Sequence, residues 1–356
     1  MTARPRLRIS LRLTLAALVL AGGARAAETA TGADAMKPAE PRRATVGASI
    51  AVVPRTAPST QFASPQFDYR LEPRRIADGV FVLVGRTEDF STTNGGNIVN
   101  TGFIVGPSGV IVIDTGPSRR YGEQMLAAIR RVTDRPVVLT VNTHHHPDHF
   151  LGNQAFPVDS IAALAETRRG IETDGEAFST NLYRMAGDWM AGTEAIAPSR
   201  TITAGRTSVG GRDLEFVALD GHTGADLVVV DHASGTVFAG DLLFHGRAPT
   251  TPHAEPTRWL AALDRLEALP ARRWVPGHGE VSEDASSIRE TRAYLHWLVT
   301  AIRDGAEAGL DITEMLAQPI PTRFRALAEV DREYRRSLIH LFPRAEQAAL
   351  EVRDER

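Results

Sequence analysis

The stretch Thr143 to Phe150, THHHPDHF, places four of the 11 histidines of the chain within six positions. His144 and His146 are two residues apart, so in an extended segment their side chains project to the same side. Asp148 and His149 follow where the chain turns into a helix, which gives a second direction. Zinc accepts both imidazole and carboxylate ligands. This segment can therefore offer ligands to two neighbouring metal ions.

The histidine segment lies at the end of a predicted strand, PVVLTV at 136–141, and strand ends are where layered α/β proteins gather ligand sites. β-Branched runs and amphipathic periodicity predict the other elements. Strands are predicted at 79–85, 97–105, 109–114, 201–203, 214–219, 227–230, 236–239 and 273–275, and helices at 118–131, 166–192, 257–269 and from about 286 onward. This order predicts an α/β fold in which two β-sheets pack face to face with helices outside.

Two zinc ions need more ligands than one segment supplies, because each takes about three protein ligands and a water. Three further positions are each predicted at a strand end or in a glycine-flanked turn: His222 in GHTG, Asp241 in FAGD and His278 in PGHG. Glycine beside a ligand lets the backbone turn sharply enough to aim the side chain inward. Each of these residues alone is more typical of a turn or cap, but the ordered set predicts a metal centre.

This ordered set resembles the metallo-β-lactamase fold superfamily over about residues 67–281. The resemblance implies a four-layer αββα sandwich at 67–285 and a C-terminal helical region at 286–356. It also implies which residues bind each metal ion: His144, His146 and His222 hold one zinc, Asp148, His149 and His278 hold the other, Asp241 bridges both, and Asp114 in VIDTG supports the metal-binding loop from behind.

Two zinc ions about 3.5 to 4 Å apart can share a water and lower its pKa towards about 7, which favours attack on a carbonyl or phosphoryl group. Asp148 is the candidate catalytic residue that orients this water or accepts its proton. This chemistry predicts a zinc hydrolase with a small-molecule substrate. Arg247 is a candidate contact for an anionic group of that substrate, unless it is a surface arginine. Phe90, in the loop at 88–97, is a candidate apolar contact, unless this loop is a solvated hairpin.

Three positions narrow the chemistry that the resemblance implies. Lactam-hydrolysing relatives with a thiolate ligand carry cysteine at the place of Asp241 and a lysine three residues later, where this chain has Phe244. β-Lactam hydrolysis is therefore disfavoured. Relatives that reduce oxygen at two irons carry glutamate at the place of His146. The bridging aspartate is the pattern of thioesterase-like and phosphodiesterase-like members, so the substrate stays open among esters, thioesters, lactones and similar electrophiles. His145 has no predicted ligand role and is expected to pack beside the ligands.

Longer segments are similar to the exported quinoprotein relay system zinc metallohydrolases. They are NIVNTGFIV (97–105), VIDTGPSRRYGEQ (112–124), NTHHHPDHFLGNQAF (142–156), GDLLFHGRAPT (240–250) and WVPGHG (274–279). This resemblance implies a functional link to quinone-cofactor (PQQ) dehydrogenases. Two alternatives stay open: a mononuclear iron enzyme like the persulfide dioxygenases, and a non-catalytic protein that binds a quinone or its dehydrogenase.

Residues 1–27 are predicted to be a signal peptide. A basic lead, a short apolar run at 13–21 and the small residues Ala24 and Ala26 predict cleavage near Ala26 or Ala27. The apolar run is about half of the roughly 20 residues that a membrane span needs. We therefore expect a periplasmic or secreted protein that is not an integral membrane protein after cleavage. Residues 28–66 are rich in Ala, Thr, Pro and Ser, which predicts a flexible linker.

Composition is typical of a globular protein, with 43% hydrophobic and 23% charged residues. The formal net charge is −3, and removal of the predicted signal peptide takes away arginines and no acidic residue. An acidic mature chain does not favour nucleic acid as a partner. The chain has no cysteine, so any metal site must be built from histidine and carboxylate side chains.

Overall fold

The computed structural model describes residues 67–354, and the predicted signal peptide (1–27) and linker (28–66) lie outside this range. Among the described residues, no helix is long and apolar enough to cross a membrane. The described chain folds into two β-sheets and a set of α-helices.

The first sheet holds strands that lie side by side in chain order. They are β1 (Arg74–Ala77), β2 (Val80–Leu83), β3 (Thr101–Val105), β4 (Val110–Ile113), β5 (Val137–Val141), β6 (Ile161–Ala163) and β7 (Arg200–Thr201). Strands β1 to β4 pair antiparallel and β4 to β7 pair parallel. The parallel half brings the C-terminal ends of β4 and β5 to one edge, where α/β sheets collect ligand-binding residues.

The second sheet has the order β12-β11-β10-β9-β8. Its strands are β8 (Gly205–Val209), β9 (Arg212–Leu219), β10 (Asp226–Asp231), β11 (Thr236–His245) and β12 (Arg273–Gly279). Strands β8 to β11 pair antiparallel, and β11 pairs with β12 in parallel. All residues of β10 are buried, as expected for a central strand covered on both faces.

The helices lie on the outer faces of the sheets or follow them in the chain. They are α1 (Arg119–Val132), α2 (Pro147–Phe150), α3 (Ala165–Ala186), α4 (Pro256–Glu267), α5 (Ser286–Ala308), α6 (Ile312–Leu316) and α7 (Val330–Asp354). Helix α1 begins at Ser118, whose side chain accepts the backbone N–H of Tyr121. Asp311 and Glu314 form a reciprocal capping box at the start of α6.

Three apolar clusters hold the layers together. Ile104 and Leu139 of the first sheet pack against Phe238 and other residues of the second sheet. On the outer face of the first sheet, its residues pack with the apolar sides of α1 and α3. On the outer face of the second sheet, α4 and α5 supply Trp259 and Leu295. The predicted four-layer αββα sandwich is therefore confirmed.

The C-terminal helical region is also confirmed. Helices α5, α6 and α7 form a cluster of their own, in which Tyr294, Met315 and Leu338 are buried. Helix α5 also packs on β11 of the second sheet. These helices thus lie against the strand that carries Asp241.

The predicted end of β11 at residue 239 is wrong, because this strand continues to His245. Gly240 has a positive φ of 51° and lies where the pairing with β12 shifts register. Glycine tolerates such a kink inside a strand, so the chain bends without leaving the sheet. Asp241 consequently lies within a strand rather than at a strand end. Strand β12 likewise runs past its predicted end at 275 and carries His278.

Candidate metal centre

The structure brings the seven predicted ligands together, and all seven are buried. Two groups have ligand atoms close enough to share one ion each: His144, His146, His222 and Asp241 in the first group, and Asp148, His149 and His278 in the second group. They come from the loop after β5 and from α2, from the turn between β9 and β10, and from strands β11 and β12. Both sheets therefore contribute to one centre.

The first group has the spacing of a zinc site. His222 Nε2 lies 2.9 Å from His146 Nδ1 and 3.3 Å from Asp241 Oδ2. His144 Nε2 lies 3.8 Å from the same carboxylate oxygen. Ligand atoms of a tetrahedral zinc with bonds of 2.0 to 2.1 Å are separated by about 3.3 Å. Within the part of the chain that the structure describes, the buried Nε2 atom of His144 has no hydrogen-bond partner, as expected for an atom that binds a metal ion.

The second group is spaced similarly and also reaches Asp241. His278 Nε2 lies 3.4 Å from Asp148 Oδ2, and His149 Nε2 lies 3.8 Å from that atom. Asp241 Oδ1 is 3.1 Å from His149 Nε2, and Asp241 Oδ2 is 3.3 Å from His278 Nε2. Despite this approach, His149 Nε2 and Asp241 Oδ1 are buried and have no partner with hydrogen-bond geometry among residues 67–354. The residues therefore fit two ions that share the carboxylate of Asp241.

The remaining ring nitrogens of two ligands are fixed by the protein. His149 Nδ1 lies 2.8 Å from Asp114 Oδ2, and His278 Nδ1 lies 2.8 Å from the carbonyl oxygen of Ile98. Asp114 also accepts the backbone N–H and the hydroxyl of Thr143, each at 2.8 Å. Its φ of +57° is rare for a residue other than glycine, asparagine or aspartate. Asp114 thus lies behind the metal-binding loop, where the sequence predicted it.

His253 is a residue of this site that sequence reasoning missed. Its Nδ1 lies 2.8 Å from Nε2 of His146, at hydrogen-bond distance. Its ring also contacts the ring of His145, which packs beside the ligands as expected. His253 is more than 100 residues from His146 in the chain, in the segment TPHAEP, which has no motif that predicts a role.

Neighbouring charges set the protonation of His149 and Asp241. Burial by itself would lower the pKa of His149, but the carboxylates of Asp241, Asp114 and Asp148 outweigh it and hold that pKa well above the ordinary value. Burial would raise the pKa of Asp241, but the nearby histidines, His278 first, hold it well below the ordinary value. Asp241 is therefore ionised, which is the state that binds a metal ion.

Burial decides the protonation of the other ligands in the loop. It lowers the pKa of both His144 and His146 well below the ordinary histidine value, so both are neutral at neutral pH. Neutral imidazole is the form that binds a metal ion. Burial also raises the pKa of Asp148, which makes this carboxylate the better proton acceptor of the two in the centre.

A cavity of about 280 Å³ opens onto the metal centre. Asp148, Asp241 and His278 line its base. The other lining residues are an apolar wall from α3 (Phe178, Leu182, Met185), Phe90 and Arg247, and Arg336 and His340 from α7. Helix α7 therefore contributes directly to the candidate substrate pocket, which sequence reasoning did not predict.

Arg247 and Phe90, the two candidate substrate contacts, both line this cavity. The sequence did not decide whether Arg247 is a surface arginine or whether the loop of Phe90 is a solvated hairpin. Arg247 is only 2% exposed and donates from Nη2 to Glu333 at 3.3 Å, so it is not a surface arginine. Its Nε and Nη1 atoms have no hydrogen-bond partner among the described residues. Asp89, beside Phe90, forms ion pairs with Arg332 and Arg336 of α7. The loop at 88–97 is thus docked on α7 and is not a solvated hairpin.

Asp226 holds the turn that carries His222. Its Oδ2 accepts the backbone N–H groups of His222 and Thr223, each at 3.0 Å, and its Oδ1 accepts the Thr223 hydroxyl at 2.7 Å. Burial raises the pKa of Asp226 to about 7, although these hydrogen bonds oppose the rise. A buried carboxylate that satisfies three donors is expected to be costly to remove.

We expect Asp226→Ala to weaken metal binding by tenfold or more, because the freed backbone N–H groups let the His222 turn move. The measurement is metal content after equilibration with a chelator of known affinity, alongside thermal unfolding. Asp213→Ala is the matched control, since Asp213 is exposed and pairs with its neighbour Arg206 on the same sheet. Equal metal affinity in Asp226→Ala and the control would show that the turn does not depend on this carboxylate.

Comparison with known proteins supports this reading of the site. A linear primary-alkylsulfatase from a Pseudomonas strain is 25% identical over 240 residues, which cover 54% of this chain and 45% of that protein. A hydroxyacylglutathione hydrolase from a Cyanothece strain is 29% identical over 142 residues, which cover 38% of this chain and 46% of that protein. The chain thus spans less than half the length of both relatives.

A solved metallo-beta-lactamase from Pontibacter korlensis shares the fold, with a TM-score of 0.50 and 24% identity over 64% of this chain and 99% of that one. The family model for the metallo-beta-lactamase superfamily matches residues 94–278, which is just over half of the chain and includes all seven candidate ligands. The chain belongs to the metallo-beta-lactamase superfamily.

Proposed function

We propose that the protein is a hydrolase that binds two zinc ions. The observation that carries the proposal is the position of Asp241, whose Oδ1 lies 3.1 Å from His149 of one group and whose Oδ2 lies 3.3 Å from His222 of the other. Histidine and carboxylate donors at these spacings suit tetrahedral zinc. The related alkylsulfatase and hydroxyacylglutathione hydrolase are named as hydrolytic enzymes, which supports the same class.

When bound, the two zinc ions would activate a water for attack and stabilise the negative charge that develops on the substrate. The chain itself supplies position and proton transfer. Asp148 lines the cavity beside His278 and is the residue that accepts the proton of the attacking water. The residues of the metal centre are themselves buried, which strengthens the electrostatic interactions among them.

The cavity supports a substrate that combines an apolar part with an ester-like electrophile. Phe178, Leu182 and Met185 offer an apolar wall, and Arg336 and His340 offer polar groups. The electrophile is an ester, thioester, lactone or sulfate ester. The sulfate ester matches the alkylsulfatase and the thioester matches the hydroxyacylglutathione hydrolase to which the chain is similar.

β-Lactam hydrolysis stays disfavoured, for a reason that the packing now supplies. Phe244, which stands where lactam-hydrolysing relatives carry lysine, is fully buried and stacks on His278 with ring centroids 5.1 Å apart. A buried aromatic ring cannot pair with a substrate carboxylate.

A substrate panel on zinc-loaded protein tests the proposed function. We expect measurable turnover of at least one alkyl sulfate, thioester, lactone or carboxylic ester, and weaker turnover of β-lactams. Metal analysis of the purified protein should give about two zinc per chain. One iron per chain with persulfide oxidation would favour the mononuclear iron alternative. Two bound zinc ions without turnover of any member of the panel would favour the non-catalytic binding protein.

We also propose, from the resemblance of the longer segments, that the protein acts outside the cytoplasm alongside quinone-cofactor dehydrogenases. Fractionation of cells that express the full chain should place the mature protein in the periplasm or medium, with a new N-terminus near residue 27. Recovery of an uncleaved cytoplasmic protein would contradict the export proposal and leave the hydrolase proposal intact.

A further inference from the structure

We infer that His253 is a positioning residue for the metal ligand His146. In this arrangement the Nδ1 atom of His253 accepts the Nε2–H of His146, so that Nδ1 of His146 is free to bind the metal ion. This inference rests on the proposed metal centre, but it concerns metal affinity and does not depend on which substrate is cleaved.

The two ring nitrogens of His146 face different partners. Nδ1 lies 2.9 Å from His222 Nε2, inside the first ligand group, and Nε2 lies 2.8 Å from His253 Nδ1. A neutral imidazole carries its proton on one nitrogen and a lone pair on the other. Because the nitrogen that binds a metal ion cannot carry the proton, the proton of His146 belongs on Nε2. His253 Nδ1 is the acceptor within reach of it.

The position of His253 is set by its neighbours. It follows β11 in a short turn in which Ala254 donates its backbone N–H to the carbonyl oxygen of Thr251 at 3.0 Å. The buried hydroxyl of Thr251 donates to Ser337 of α7 at 2.7 Å. The ring of His253 packs against that of His146, with centroids 5.0 Å apart. A ring held by backbone, helix and stacking contacts can orient the ligand beside it.

The role we assign to His253 matches that of other acceptors in the same centre. His149 is oriented by Asp114 and His278 by the carbonyl oxygen of Ile98, each at 2.8 Å. Partners of this kind fix the tautomer and orientation of a ligand, and their loss typically costs about 10- to 100-fold in metal affinity. His253 differs from these acceptors in belonging to a turn tied to α7. The C-terminal helices thereby support the first metal group.

A third metal ion is the competing explanation, since His145, His146 and His253 lie close enough to share one. Such an ion would need Nε2 of His146 while Nδ1 serves the first group, so His146 would have to lose its ring proton. Asp174 is the carboxylate whose charge reaches both His145 and His253, and it is not a member of the cluster. The hydrogen bond does not require His146 to lose its ring proton, and we therefore favour it.

The test compares zinc binding by the full-length protein and three variants, using competition with a chromophoric chelator. His253→Ala should lower the affinity of one of the two zinc ions by about 10- to 100-fold and leave the other unchanged. His253→Asn should restore most of this loss, because its side-chain oxygen can accept the same hydrogen. His145→Ala should match the wild type, since His145 packs against the cluster without a hydrogen bond to a ligand.

Unchanged affinities in His253→Ala, or no recovery in His253→Asn while thermal unfolding shows both variants folded, would overturn the inference. Binding of a third zinc that is lost in both His253→Ala and His145→Ala would overturn it in favour of the third metal site. Failure of the proposed function would give a different result. The wild-type protein would then bind zinc in a His253-dependent way and cleave no substrate, which would keep this inference and refute the hydrolase.

Discussion

Replacing Asp241 with alanine is expected to remove both metal binding and hydrolysis while the chain stays folded. Asp241 is the carboxylate that faces both groups, with Oδ1 at 3.1 Å from His149 and Oδ2 at 3.3 Å from both His222 and His278. Without it, two bound ions would lose the one carboxylate that faces both groups, and with it the spacing that would let them share a water. Metal ions supply several kcal/mol of transition-state stabilisation, so activity should fall by about a thousandfold or more.

Three measurements check the Asp241→Ala prediction: metal content, kcat/KM on the best substrate of the panel, and thermal unfolding. With Asp241 replaced, the imidazole of His149 keeps the carboxylate of Asp114 as its partner at 2.8 Å, which is why the fold should survive. Asp213→Ala serves again as the control, because it removes an exposed carboxylate from the same sheet. Full activity in the Asp241→Ala protein would mean that the bridged two-metal mechanism is wrong.

The ligand positions could be predicted from sequence because each lies in a short motif whose residue types carry the chemistry. Four of the ligands are close in the chain: His144, His146, Asp148 and His149. Their spacing alone indicates that the side chains point in two directions and can serve two metal ions. The layered architecture was predictable for a similar reason, since buried strands read as β-branched runs. Strand β8 escaped detection because its residues are mostly exposed and polar, which leaves no apolar periodicity.

The parts that escaped prediction depend on contacts between distant segments. The hydrogen bond from His146 to His253 joins residues more than 100 positions apart, and no local pattern distinguishes His253 from an ordinary loop histidine. Arg336 and His340 reach the cavity because α7 packs on α5 and bonds to Arg247 and Thr251 in the segment after β11. The continuation of β11 through Gly240 was also missed, because glycine is a common strand terminator and only the pairing with β12 shows that it forms a bulge.

Gly277→Ala is expected to disrupt the metal centre almost as strongly as the loss of Asp241 itself. A Cβ atom added at Gly277 would lie 1.9 Å from Asp241 Oδ1 and 2.9 Å from the backbone nitrogen of Asp241. Contacts this short cannot be accommodated, and the carboxylate belongs to a short side chain on a strand paired with β12. It can relieve the clash only by turning away from the histidines or by spreading the two strands.

Zinc content and affinity, measured with the chelator competition, check the prediction for Gly277→Ala. Gly224→Ala is the matched control near the same centre, because its added Cβ would first meet the exposed carboxylate of Glu166 at 3.1 Å, which can move aside. The control should keep both zinc ions. Normal zinc binding by Gly277→Ala would show that β12 and the Asp241 side chain can make room for the added Cβ without loss of the metal centre.

A double variant separates displacement of the carboxylate from general damage to the sheet. If the alanine at 277 acts by displacing the Asp241 carboxylate, then the Gly277→Ala, Asp241→Ala protein should bind zinc as weakly as Asp241→Ala alone, because no carboxylate remains to be displaced. If it acts by separating β11 from β12, the double variant should bind zinc more weakly than Asp241→Ala alone. The reason is that movement of β12 displaces His278, which weakens the second group independently of Asp241. We expect the first result, because the closest contact of the added Cβ is with the carboxylate oxygen and the backbone contacts are a full 1.0 Å longer.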